Sequence, residues 1–170
     1  MKKLLISIAT ALILLVVLAV PAMAATEQDV TITATPAFVS ISNTPTSYGF
    51  GTVQTSSTPS TITTYFSVDN TSSVSINCTV SVTTSTWSGG VTWAHSDTAT
   101  PGADTAGLKV NVGGTWGTGD IIVKYSSPNN IVTGQAANTD WQWGIKLWAP
   151  TSFGDGVQKQ IIVRLTASAA

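Results

Sequence analysis

The stretch DWQWGIKLWAP, residues 140–150, holds three of the chain's six tryptophans. Side chains alternate across a strand, so it puts Trp141, Trp143, Ile145 and Leu147 on one face. Gln142, Gly144, Lys146 and Trp148 fall on the other. The first face is continuously apolar and reads as core. The second is mixed and leaves Trp148 as a ring on the outer side.

The same period-two alternation recurs in SVSINCTVSVTT, where Val74, Ile76, Cys78, Val80 and Val82 share a face. It recurs again in VQKQIIVRLTASAA, where Val157, Lys159, Ile161, Val163 and Leu165 do. No segment after residue 25 carries the 3.6-residue period of a helix. Strands are predicted over residues 30–34, 38–42, 62–68, 74–84, 91–94, 108–112, 121–125, 141–149 and 157–167. Turns such as TWSGG, NVGGTWGTGD and SSPNN separate them. Many short strands with turns between them predict an all-β fold, an antiparallel β-sandwich of the Ig-like or jelly-roll-like kind. No linker or repeat divides the chain, so residues 25–170 are read as a single domain.

Residues 1–24, MKKLLISIATALILLVVLAVPAMA, have a charged start, an apolar run and the small-x-small triplet Ala22-Met23-Ala24. That layout predicts a signal-peptide helix cleaved after Ala24 or Ala25, and hence a secreted or cell-surface protein. The expected membrane association is limited to this segment before cleavage. The full chain carries seven basic and eight acidic side chains. Without Lys2 and Lys3 the net charge is about −3. No basic cluster exists, so nucleic acid is excluded as a partner, since phosphate binding needs many Lys or Arg contacts. Ser and Thr make up about a third of residues 25–170.

Chemistry-bearing residues are sparse. The single cysteine, Cys78, reads as a small buried hydrophobe. His95, the only histidine, reads as a polar loop residue with no G-x-S-x-G elbow to serve. The acids are scattered singles, unlike the facing pair of a glycosidase. No catalytic residue, metal site or cofactor is therefore assigned. Asp97 and Asp104 share a predicted loop, but two carboxylates fall short of the six to eight oxygens calcium takes. Two sequons, at Asn70 and Asn77, matter only in a host that glycosylates exported proteins.

Two candidate surfaces remain. Sandwich modules that bind carbohydrate stack exposed aromatic rings on sugars, and Trp148, Trp87, Trp116 and Trp93 are the candidate rings. Trp87 and Trp116 lie beside glycines in predicted turns. The second candidate is the segment TEQDVTITATPAFVSIS, where Pro36 separates residues 30–34 from 38–42 and would free Val30, Ile32 and Ala34 to pair with another copy.

The early FGTV element, the V-x-N-x-S turn and the closing LTASA make the chain similar to secreted Ig-like or WxL-like sandwiches of microbial surfaces. The paired W-x-L signatures are missing, so the resemblance does not bring peptidoglycan binding with it. The N-terminal segment resembles the free leading strand of TasA-like or archaeal bundling-pilus filament subunits, which implies self-association by strand exchange. Together these readings predict a non-enzymatic structural or adhesive protein whose partners are its own copies or other surface proteins. A carbohydrate-binding module is the alternative.

Overall fold

The computed structural model describes residues 30–170, so the signal peptide expected over residues 1–24 lies outside the described residues. The β structure belongs to one compact unit, Pro36–Ala170. Residues 30–35 belong to a separate unit and carry no strand, and Val30 and Ile32 are 81% and 88% exposed.

Ten strands follow in order: β1 (Ile41–Thr44), β2 (Phe66–Asn70), β3 (Ile76–Val82), β4 (Thr86–Trp87), β5 (Trp93–Ser96), β6 (Thr105–Asn111), β7 (Ile121–Ile122), β8 (Asn129–Gln135), β9 (Trp141–Trp148) and β10 (Val163–Ala169). The described residues contain no helix. The large sheet runs β1-β2-β9-β6-β5-β4, with β7 added beside β6, and the small sheet runs β10-β3-β8.

Alternation dictates how the sheets face each other. Cys78, Val80 and Val82 of β3 turn inward against Phe66, Val68, Leu108, Val110, Trp141, Trp143, Ile145 and Leu147 of the large sheet. These side chains form one buried cluster between two layers, the arrangement by which a sheet with one apolar face removes it from water. Trp141 and Trp143 are core, as the strand reading of β9 requires.

Several expectations are corrected. The sheets are not wholly antiparallel, because β5 and β6 run parallel and are joined by only the residues between Ser96 and Thr105. Residues 30–34, read as a strand, are not one, and the strand expected at 38–42 starts at Ile41. The last strand begins at Val163 rather than Val157. β4 and the first two residues of β8 fall in predicted turns, and no strand is predicted over the rest of β8. His95 lies in β5 rather than a loop, its side chain fully buried.

Local chemistry explains two irregularities. The β3–β8 pairing shifts register around Cys78, and Gly134, at a φ of 64°, takes the left-handed conformation that the bulge needs. The Gly134 amide donates to Asn77 Oδ1 at 2.9 Å. In β9, a Cβ at Gly144 would run into the Ile62 carbonyl and the Thr61 hydroxyl. Glycine there lets the 56–61 segment lie along β9, where the amides of Thr61, Leu147 and Ala149 bond to the carbonyls of Ile145, Pro59 and Ser57.

Candidate binding surfaces

A three-stranded sheet cannot cover the inner face of a seven-stranded one. The uncovered part is a cleft of about 1010 Å³, floored by Phe66, Leu108, Trp143, Ile145 and Leu147. One wall is the 46–53 loop, with Tyr48, Phe50 and Val53. The other is the 155–163 stretch leading into β10. A chain of aromatic contacts fixes the first wall. Phe50 meets Tyr48 at 5.0 Å, Tyr48 meets Tyr65 at 4.9 Å, Tyr65 meets Phe66 at 5.0 Å, and Phe66 stacks on Trp143 at 4.4 Å. The second wall is held by Lys159, whose Nζ donates to Asp155 Oδ1 and the Gly89 carbonyl, each at 2.6 Å. Asp155 also accepts from the Val91 amide. The Lys159 ammonium and the Val91 and Val157 amides hold the half-buried Asp155 carboxyl below its usual pKa.

Trp87 and Trp93, expected as exposed rings, are instead buried, 6% and 7% exposed. They meet edge to face at 6.0 Å, and Trp93 stacks on Phe153 at 5.2 Å. Both line the cleft, and both have indole N–H groups without a hydrogen-bond partner among the described residues.

The other two candidates share the outer face of the large sheet. There β6 and β9 place Lys109 opposite Lys146, Gly107 opposite Trp148 and Asn111 opposite Gly144. Trp116 reaches this face from the loop after β6 and donates its indole N–H to the Thr61 carbonyl at 2.9 Å. Buried Asn111 shapes that loop. Its Nδ2 donates to the Thr118 carbonyl and to Asp120 Oδ1, each at 2.8 Å, and its Oδ1 accepts from the Gly114 amide at 3.0 Å. Rings and cations then alternate along the face. Lys146 Nζ lies 4.6 Å from the Trp116 ring centre and 5.4 Å from that of Trp148, and Lys109 Nζ lies 4.5 Å from Trp148. Both indoles are half-buried. Among the described residues neither lysine forms an ion pair, whereas Lys159 pairs with Asp155.

The remaining polar candidates do not converge. His95 Nε2 lies 2.9 Å from the Val123 carbonyl, which makes it the N–H donor of the ring. Asp97 accepts from the Tyr125 and Ser126 amides and the Ser126 hydroxyl, whereas Asp104 accepts from the Gly154 amide. The described residues bring no three His, Cys, Asp or Glu side chains together. Cys78 is buried, and that burial, opposed by a backbone contact at Thr166, pushes its thiol up to about 11. Of the sequons, Asn70 is buried, with Nδ2 bonded to the Ala136 carbonyl and Oδ1 to the Ser72 amide.

No family model, curated protein or solved structure matches the chain.

Proposed function

We propose that this chain is an exported, non-enzymatic structural or adhesive protein with an Ig-like sandwich. In this reading it self-associates when residues 30–34 of one copy enter the cleft of another. The observation that carries the proposal is the pairing of an open cleft, apolar at its floor, with exposed, alternating apolar residues in the same chain. Val30, Ile32 and Ala34 are exposed, and an extended five-residue strand spans about 17 Å at roughly 3.4 Å per residue. Beside the cleft, β10 is an edge strand bonded only to β3, so its other backbone edge is open to a further strand. Strand addition draws affinity from such main-chain bonds and specificity from pockets for alternate side chains.

A second reading, glycan binding, is favoured by the half-buried Trp148 and Trp116. It does not compete with assembly, because Lys146 and Trp148 face away from the cleft-lining Trp143, Ile145 and Leu147.

Assembly is tested by deleting residues 26–35 and comparing sedimentation over a concentration series. The expected result is concentration-dependent oligomers of the parent and a folded monomer of the deletion variant, to which a peptide of residues 26–35 binds. A parent that stays monomeric at high concentration refutes the proposal.

A further inference from the structure

We infer that the ring-and-cation strip on the outer face of β6 and β9 binds a carboxylate-bearing saccharide chain, an inference that rests on the glycan-binding reading and specifies its ligand. Lys109 and Lys146 are directly opposite each other on neighbouring strands. Like charges so placed repel, and a sheet has no structural use for the arrangement. After residue 25 the chain has only five basic residues, so setting two together departs from its otherwise sparse charge. Both are half-buried, and no described carboxylate pairs with either.

The indole faces offer these ammonium groups an attraction of modest size but accept no hydrogen bond along the ring plane. The N–H groups of each lysine therefore remain available to oxygen acceptors. An anion between the two lysines would turn their repulsion into a shared attraction.

The kind of anion follows from what surrounds the pair. Two cations are too few for a nucleic acid, whose binding scales with the number of phosphates neutralised. Trp148 lies against both lysines and Trp116 against Lys146, and their half-buried aromatic surface suits the C–H face of a sugar ring. Gln142, exposed on the same face of β9, can exchange hydrogen bonds with hydroxyls. One carboxylate per sugar, with hydroxyls and C–H surface between, matches two cations that alternate with two indoles. An acidic peptide shares the charge but lacks the rigid C–H face.

The test is isothermal titration of the full chain with three probes of equal length: oligogalacturonate, a neutral galacto-oligosaccharide and oligoglutamate. Oligogalacturonate is expected to bind, more weakly as salt rises. Lys109→Gln and Lys146→Gln should each weaken it about tenfold or more, the effect of losing one charge-assisted hydrogen bond. Lys124→Gln, outside the strip, should leave it unchanged. Melting curves check the fold, and neither strip variant should melt lower by more than a few degrees. Equal binding of the neutral oligosaccharide overturns the acidic ligand and leaves the glycan reading standing. Failure of both sugars to bind overturns both. Oligoglutamate binding as tightly as oligogalacturonate moves the ligand to an acidic peptide and overturns the inference. Full affinity in both strip variants removes the site from this face.

Discussion

Replacing Trp143 by alanine tests the inward face of β9 directly. The indole is 4% exposed, stacks on Phe66 at 4.4 Å and donates its N–H to Asn43 Oδ1 at 2.9 Å. Truncating a buried tryptophan costs about 3–5 kcal/mol, of which the aromatic stack accounts for about 0.5–1.5 and the hydrogen bond for about 1. Trp143 also lines the open cleft, so part of the space it leaves joins an existing opening and fewer packed contacts are lost. The loss should therefore fall near the lower end, about 3 kcal/mol. For a domain of this size each kcal/mol moves the melting temperature by about 2–4 °C, giving a drop of about 6–12 °C. Far-UV circular dichroism against temperature and urea reads this without depending on tryptophan fluorescence. Trp148→Ala is the control. It removes a half-buried ring and two cation–π contacts, which together contribute about 1–2 kcal/mol at most. Equal losses in the two variants, or a Trp143→Ala protein that melts like the parent, would show that the faces of β9 are assigned the wrong way round.

Two further outcomes follow from the titratable groups. With its thiol pushed up to about 11, Cys78 should resist an aromatic disulfide reagent at pH 8 in the native protein and react fully in urea, and rapid native labelling would contradict its burial. Partial burial works against the Asp97 carboxylate, but hydrogen bonds from Ser126 and Tyr125, helped by His95, outweigh it and lower its pKa. A lowered folded pKa adds stability that is present above the unfolded value and lost as pH falls through the folded one. Asp97→Asn should thus cost about 1 kcal/mol at pH 7, and the gap to the parent in urea midpoint should close in acid. A gap independent of pH would assign the loss to packing.

How far the sequence could be read depended on where each residue's environment is decided. The inward faces of β3 and β9 follow from alternation alone, because one register buries Ile76, Cys78, Val80 and Val82 in β3 and Trp141, Trp143, Ile145 and Leu147 in β9. β8 was hidden because Asn129, Asn130 and Gly134 are turn formers. Its strand state comes from pairing with β3 and from the bulge, both long-range facts. The glycines that follow Trp87 point to a turn and an exposed ring. Gly89 instead lets the Gln158 backbone approach, and the stretch leading into β10 then folds over Trp87 and Trp93. The Lys109–Lys146 juxtaposition depends on the β6–β9 register, which neither strand encodes by itself. The cleft arises from the unequal size of two sheets, and no single residue announces it.

The position of β9 governs the order in which the molecule can form. Both of its neighbours, β2 and β6, precede it in the chain, so the middle of the large sheet stays unfilled until residues 141–148 arrive. Its contacts reach far back, from Ile145 to Thr61 across 84 residues and from Trp143 to Asn43 across 100. Chains dominated by such distant pairings fold slowly, in milliseconds to seconds, because loop closure must come before the contacts that reward it. During that interval β2 and β6 expose bare edges and apolar faces that can join the wrong neighbour. A nascent chain halted before residue 141 thus holds the large sheet as two unjoined halves, and it is β9 that makes them one.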